Sequence, residues 1–185
     1  MVNQIEKIGG NGKISVYKKL DTPKYTSIDD FLKYNVRSPI LKSVLNFDSI
    51  PEESWQNITT NPSKYNESEV GMLTENDEFG ITFSHQNLKI LTTKQNTLLL
   101  KGQFQAEDDI DRVWAVVSVE SGNELKFYRR IDLGTQIDNT HSWERLYFIF
   151  TPIPKIENDK NELKVYIWNE GRNNLFYDDI TIELY

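Results

Sequence analysis

The chain has 185 residues, a formal net charge of −7 at pH 7 and no cysteine, and these properties exclude several functions. An acidic chain of this size lacks the clustered positive charge that binding to nucleic acid or an anionic membrane requires. Without cysteine there are no disulfides, no thiolate catalysis and no thiolate metal sites. The sequence contains no run of roughly 18 apolar residues, so it predicts no membrane-spanning helix. The unusual feature of the composition is its aromatic content, which is 12% of all residues.

The beginning of the sequence differs from the rest. Residues 14–17 predict a short strand after the glycine-rich turn at residues 9–12. Residues 26–32 predict a cap followed by one or two helical turns. We therefore expect residues 1–43 to form an N-terminal arm or linker, followed by a main domain of residues 44–185. The opening residues carry no signal peptide, because they lack an apolar core, so the chain is either cytoplasmic or a piece of a longer protein.

From Val44 onward the sequence alternates between apolar and polar residues, as strands that bury one face do. Such runs, bounded by Gly, Asn, Asp or Pro, occur at residues 97–104, 112–120, 125–131, 144–151, 162–169 and 175–184. No later segment has a sustained helical period. This pattern predicts an all-β fold: a two-sheet antiparallel β-sandwich, specifically a jelly roll of roughly eight to ten strands, with an N-terminal arm.

Three stretches also carry a resemblance to a known family. They are residues 46–48 with Trp55 and residues 64–69, then Trp143 with the strand that follows it, and finally residues 163–169 paired with residues 175–182. In this order they resemble the galactose-binding-like jelly-roll domain of many carbohydrate-binding modules, whose closing strand has an aromatic–Asp–Asp–aliphatic sequence. The resemblance implies a non-catalytic module for a glycan within a larger cell-envelope or secreted protein. It also implies an extracytoplasmic location, with neighbouring domains of the parent protein as partners.

The closing strand further predicts a metal site. Alternation places one set of side chains on a common, largely apolar face: Phe176, Asp178, Ile180, Ile182 and Leu184. An inward carboxylate without a partner is costly, and it would take up a proton, a cation or hydrogen bonds. The resemblance implies a structural calcium between the first and last strands, which assigns Asp48 and Asp178 as ligands, with Asp179 and carbonyls of residues 67–69 as additional ones. In the alternative, Asp178 bonds backbone amides or an arginine and no metal binds.

A glycan site needs exposed aromatic side chains beside polar groups, because sugar rings stack their C–H faces on aromatic rings. Alternation predicts a groove lined by side chains that point away from the core: Trp114, Arg112, Tyr128, Tyr166 and Trp168. The alternative is that residues 1–43 cover this face and that the aromatic residues serve packing.

Two other functions are open at this point. A structural β-sandwich that spaces neighbouring domains would bind no small ligand. A glycoside-cleaving jelly-roll enzyme would need two carboxylates ~5–9.5 Å apart across a sugar cleft. Glu120, Glu124 and Glu144 are available, but no spacing in the sequence pairs them. We therefore assign no catalytic residue.

Overall fold

The computed structural model divides the chain into two compact units, Met1–Arg37 and Ser38–Tyr185. It describes residues 5–10, 15–19, 38–49, 51–62, 68–86, 88, 91, 96–155 and 161–185. In the first unit, strand β1 (Ile5–Gly10) pairs with β2 (Ser15–Lys19) in an antiparallel arrangement. Strand β2 confirms the short strand that the sequence predicted at residues 14–17. The helical turns predicted at residues 26–32 lie outside the described residues.

The second unit begins earlier than the sequence analysis placed it. The predicted boundary between residues 43 and 44 falls inside β3 (Leu41–Leu45). This strand pairs over its whole length with the closing strand, β13 (Leu175–Leu184). Because main-chain pairing joins residues 41–43 to the sandwich, they belong to the second unit and not to an arm.

The strands of the second unit form two antiparallel sheets. Between β3 and β13 lie β4 (Trp55–Gln56), β5 (Thr60–Pro62), β6 (Glu69–Leu73), β7 (Phe79–His85), β8 (Asn96–Ala106), β9 (Val113–Ser121), β10 (Glu124–Asp132), β11 (Glu144–Ile153) and β12 (Asn161–Asn169). The five-stranded sheet has the order β10-β9-β12-β7-β4. The six-stranded sheet has the path β11-β8-β13-β6-β5, and β3 pairs with β13 beside it. This arrangement confirms the predicted two-sheet β-sandwich. Within the described part of the chain, no helix is long and apolar enough to cross a membrane.

Apolar side chains of both sheets meet in one core. From the five-stranded sheet, its fully buried members include Val113, Ala115, Val117, Leu163, Val165 and Ile167. Trp55 belongs to the same cluster, and its ring centre lies 5.2 Å from that of Phe83. Its Nε1 donates a hydrogen bond to Ser43 Oγ at 2.9 Å. Each large side chain buried in this way stabilises the fold by about 1.5–3 kcal/mol.

The closing strand departs from the predicted alternation. The pairing of β13 with β8 shifts register between Asp178 and Thr181, and Asp179 there has a φ of 51°. Such a bulge shifts the phase of the side chains that follow it. The buried apolar residues of β13 are consequently Leu175, Tyr177, Ile180, Ile182 and Leu184. The prediction that Phe176 and Asp178 share the core face is therefore wrong, since both alternate with the buried Tyr177 and point to the outer face of the sheet.

Candidate functional site

The outer face of the five-stranded sheet gathers all four aromatic residues that the sequence analysis selected for a glycan site. Trp114 on β9 pairs directly with Trp168 on β12, and Tyr166 precedes Trp168 by two residues on the same face. Tyr128 on β10 pairs with Ser118 of β9, which also faces this side. We call this surface the aromatic face and define it by Trp114, Tyr128, Arg130, Tyr166 and Trp168.

At one end of the aromatic face, Arg130 lies over Trp114. In the register of β10 and β9, Arg130 is paired with Val116 and is therefore diagonal to Trp114, a separation that long side chains bridge. The guanidinium carbon is 3.9 Å from the centre of the Trp114 ring and 5.5 Å from that of Trp168. Glu170 Oε2 accepts a hydrogen bond from Trp114 Nε1 at 3.0 Å and lies 3.7 Å from Arg130 Nη1. One carboxylate oxygen thus contacts both the indole and the cation above it.

The loop that carries Glu170 is fixed by the side chain of Asn169, which is fully buried. Its Nδ2 donates to three main-chain carbonyl oxygens, those of Thr74 at 3.0 Å, Asp77 at 3.0 Å and Asn173 at 2.9 Å. Its Oδ1 accepts the main-chain N–H of Asn173 at 2.8 Å. The residue that follows it, Glu170, is therefore attached to a rigid point of the backbone.

The other end of the aromatic face also carries a cation paired with carboxylates. Lys164 Nζ lies 2.7 Å from Glu120 Oε2 and 3.4 Å from Glu162 Oε2. The hydrogen bond to Glu120 is the main reason that the pKa of Lys164 is raised, and it outweighs the opposing effect of burial. The aromatic residues therefore lie between two groups of paired charges.

Two tyrosine hydroxyls lie between these ends. Burial raises the pKa of Tyr166 to about 12, Tyr128 and Glu120 add to the rise, and a hydrogen bond with Ser118 opposes it. Burial also raises the pKa of Tyr128, against the charge of the neighbouring Arg130. Both hydroxyls are therefore neutral at physiological pH and can donate and accept hydrogen bonds.

Phe79 extends this surface, although the sequence analysis did not identify it. Phe79 pairs with Trp168 after a register shift between β12 and β7. Phe79 is 47% exposed, and its ring meets that of Tyr166 edge to face, with centres 5.9 Å apart. Strict alternation would turn Phe79 inward together with the buried Ile81. The neighbouring Gly80 was the available signal, because a glycine within a strand often marks such an irregularity.

Arg112, by contrast, does not join the aromatic face. It precedes β9 and has a φ of 50°, so the alternation that positions Trp114 does not extend to it. Its guanidinium pairs with the adjacent Asp111, with Nε and Oδ2 3.3 Å apart. The cation that contacts Trp114 is instead Arg130, on the neighbouring strand.

Two of the carboxylates predicted as calcium ligands are bonded to main-chain N–H groups. Burial raises the pKa of Asp178, and the charges of Asp179 and Asp48 add to the rise. Asp48 Oδ1 accepts the main-chain N–H of Glu69 at 2.9 Å, and Asp178 Oδ1 accepts that of Asp179 at 2.7 Å. Among the described residues, no group of three or more Asp, Glu, His or Cys side chains could hold a metal ion. The predicted carbonyl of Glu67 lies outside those residues. A calcium ion here would therefore need carbonyl and water ligands besides the aspartates.

A cleft of about 490 Å³ opens beside Asp48. Its lining is Leu45, Phe47, Asp48, Ser49, Pro51, Ile58, Thr60 and Glu69. The aromatic residue of this lining, Phe47, is 6% exposed and packs against Tyr177, with ring centres 5.7 Å apart. It presents little ring surface to a ligand, so the aromatic face is the better candidate site.

The outer face of the six-stranded sheet carries a cluster of charged and polar side chains. The cluster surrounds Glu183, which is 5% exposed. Lys101 Nζ lies 3.1 Å and Lys42 Nζ 3.5 Å from Glu183 Oε1, and the Tyr185 hydroxyl donates to Oε2 at 2.9 Å. Burial alone would raise the pKa of Glu183, but the hydrogen bonds from Lys101 and Tyr185, together with the charges of Lys101 and Lys42, outweigh it and lower that pKa. This cluster supports the sheet and presents no aromatic platform.

The three glutamates considered for catalysis have different surroundings. Glu120, on the five-stranded sheet, is paired with Lys164. Glu144, on the six-stranded sheet, accepts main-chain N–H groups from two loop residues, which lower its pKa. Glu124 is 70% exposed and pairs with Lys126. Glu120 and Glu144 thus belong to different sheets and do not flank a common cleft.

Comparison with known proteins supports the fold. No family model matches the chain, and no curated protein matches it. Among solved structures, the tandem CBM22-1–CBM22-2 domain of Xyn10C from Paenibacillus barcinonensis matches with a TM-score of 0.50 at 11% identity, covering 80% of this chain and 46% of that one. The CBM22-1 xylan-binding domain of Xyn10C matches with a TM-score of 0.48 at 11% identity, covering 80% of this chain and 97% of that one. The arabinose-bound MgGH51 α-L-arabinofuranosidase matches with a TM-score of 0.43 at 10% identity, covering 71% of this chain and 23% of that one.

The second unit therefore has the jelly-roll β-sandwich fold of carbohydrate-binding modules, as the sequence resemblance predicted. The chain spans less than a quarter of the arabinofuranosidase and about half of the tandem domain.

Proposed function

We propose that the second unit is a non-catalytic module that binds a glycan on its aromatic face. The observation that carries the proposal is that one exposed ring, two half-buried rings and paired charged groups occupy one side of one sheet. Phe79, Tyr166 and Trp168 offer rings on which the C–H faces of sugars stack. The planar guanidinium of Arg130, the ammonium of Lys164 and their carboxylate partners supply donors and acceptors for sugar hydroxyls.

A non-catalytic role agrees with the positions of the available carboxylates. Hydrolysis of a glycosidic bond needs an acid and a second carboxylate on opposite sides of the same sugar. On the aromatic face, Glu120 is paired with Lys164 and Glu170 contacts Trp114 and Arg130. These carboxylates serve to orient the cations and the indole.

The setting that we propose is a larger cell-envelope or secreted protein, in which neighbouring domains are the partners of this module. The tandem domain that shares its fold likewise carries a second module in the same chain. An extracytoplasmic location fits this proposal, because a polysaccharide ligand is encountered there.

We further propose that calcium binds beside Asp48 and Asp178 and stabilises the junction of the first and last strands of the sandwich. The support is electrostatic: after burial, the charges of Asp179 and Asp48 contribute to the raised pKa of Asp178. A divalent cation with carbonyl and water ligands would offset this repulsion.

Affinity electrophoresis tests the glycan proposal. The full chain is run in native gels that contain soluble xylan, β-1,4-galactan, laminarin or hydroxyethylcellulose. We expect retardation in at least one gel, and we expect the double variant Y166A/W168A to lose it while it still unfolds in one cooperative transition. Tyr147→Ala is the matched control, because Tyr147 is 36% exposed on the other sheet. Absence of retardation in every gel would favour a spacer domain, and release of reducing ends would favour an enzyme.

A further inference from the structure

The ring of Trp114 already packs against another side chain of the protein. The Arg130 guanidinium lies 3.9 Å above its centre, which is van der Waals contact. The indole N–H is also engaged, because it donates to Glu170. A sugar that stacked on this side of Trp114 would have to displace the guanidinium and separate its charge from the ring and the carboxylate.

Arg130, in contrast, remains accessible to a ligand. Its side chain is 39% exposed although it is stacked and ion-paired. A guanidinium has five N–H donors in a rigid plane. When one side of that plane rests on an indole, the donors at its edges point outward and can bind two adjacent hydroxyl oxygens of a sugar ring.

Glu170 restricts where the guanidinium can lie. Its Oε2 contacts both Arg130 Nη1 and Trp114 Nε1, and its backbone follows Asn169, whose buried side chain is hydrogen-bonded to the main chain. A side chain that is ordered before binding loses less conformational freedom when the ligand arrives.

We propose that Arg130, rather than Trp114, contacts the glycan at this end of the aromatic face, and that Glu170 is the residue that positions Arg130. The ligand chemistry recognised here is a pair of adjacent sugar hydroxyls. The proposal rests on the glycan-binding function proposed above and names the specificity-determining group of that site.

Binding affinities of single and double variants test the proposal. Affinities for soluble xylan, β-1,4-galactan, laminarin and hydroxyethylcellulose are measured for the wild-type chain, R130A, R130K, E170Q and R130A/E170Q. On each polysaccharide that the wild type binds, we expect R130A and R130K to lose at least tenfold in affinity, since lysine retains the charge but not the planar fork. We expect E170Q to lose threefold to tenfold alone and nothing further in the R130A background. R145A is the matched control, because Arg145 is exposed on the other sheet.

Two further measurements separate positioning from a general loss of structure. Unfolding temperatures should agree within a few degrees for all variants. The tryptophan fluorescence of E170Q should change in the direction seen for R130A, because both substitutions free the Trp114 ring.

Each outcome bears on a different part of the proposal. Unchanged or tighter binding by R130A would mean that Trp114 stacks the sugar directly, and it would overturn the assignment of Arg130 while leaving glycan binding intact. A full additional loss from E170Q in the R130A background would mean that Glu170 contacts the sugar itself, and it would overturn its positioning role. If the wild type bound none of the four polysaccharides, the proposed function would fail and this inference with it.

Discussion

Asn169→Ala should be among the most destabilising single substitutions of a polar residue in the second unit. The side chain makes four hydrogen bonds with the main chain at Thr74, Asp77 and Asn173. The Thr74 carbonyl also accepts the N–H of Asp77 and keeps that partner. At about 1 kcal/mol for each remaining bond, we expect the free energy of unfolding to fall by about 3 kcal/mol. In a chain of this size that corresponds to a decrease in unfolding temperature of about 6–12 °C.

Thermal and urea unfolding of three variants would check this reasoning. Asn169→Asp preserves the volume but replaces the donating amide by a carboxylate that faces carbonyl oxygens, so at pH 7 it should destabilise at least as much as alanine. Asn76→Ala is the control, because Asn76 is exposed in the same loop region, and it should change the unfolding temperature by less than about 2 °C. An aspartate variant as stable as the wild type would refute the donor role of the Asn169 side chain.

Three other outcomes are expected. Calcium should raise the unfolding temperature, with a stabilisation of about 2.7 kcal/mol when its concentration is 100 times the dissociation constant, and the double variant D48N/D178N should lose this shift. The aromatic face has more carboxylates than cations among its paired groups, so at low salt the chain should bind hydroxyethylcellulose more tightly than carboxymethylcellulose, and glucuronic acid substituents should weaken binding to xylan. Because the folded-state pKa of Glu183 lies below its ordinary 4.5, its stabilisation should be present above pH 4.5 and lost as the pH falls through the folded-state pKa. The free energy of unfolding of the Glu183→Gln variant should therefore depend less on pH in the acid range than that of the wild type.

Contrary results would be equally specific. An unfolding temperature that does not respond to calcium or to a chelator would remove the metal proposal. Preference for the anionic polysaccharides would contradict the charge argument for the aromatic face. An equally steep acid dependence in Glu183→Gln would show that other carboxylates cause the loss of stability at low pH.

The parts of the site that the sequence predicted correctly are those that depend on local backbone geometry. The sequences of β9 and β12 alternate regularly, and an extended chain turns successive side chains to opposite faces. Trp114, Tyr166 and Trp168 could therefore be assigned to the outer face from a single sequence. Their role in ligand binding stays a prediction until it is measured.

The parts that could not be predicted depend on pairing between distant segments. Phe79 turns outward because of the way in which β7 meets β12, and a single sequence carries no register for strands so far apart. Asp178 was assigned to the wrong face because one extra residue in β13 resets the alternation. Arg130 was not assigned to the site because its contact with Trp114 is diagonal across two strands, while the alternation of one strand suggested Arg112.

The position of β13 has a consequence for how the protein is made. This strand follows every other strand of the sandwich in the chain, yet it lies inside the six-stranded sheet, between β8 on one side and β6 and β3 on the other. During synthesis, the edges of these earlier strands stay unpaired until residues 175–184 emerge from the ribosome. Unpaired edges attract other chains, and nascent chains in this state are prone to aggregation. Chaperone binding should therefore be strongest just before β13 is released.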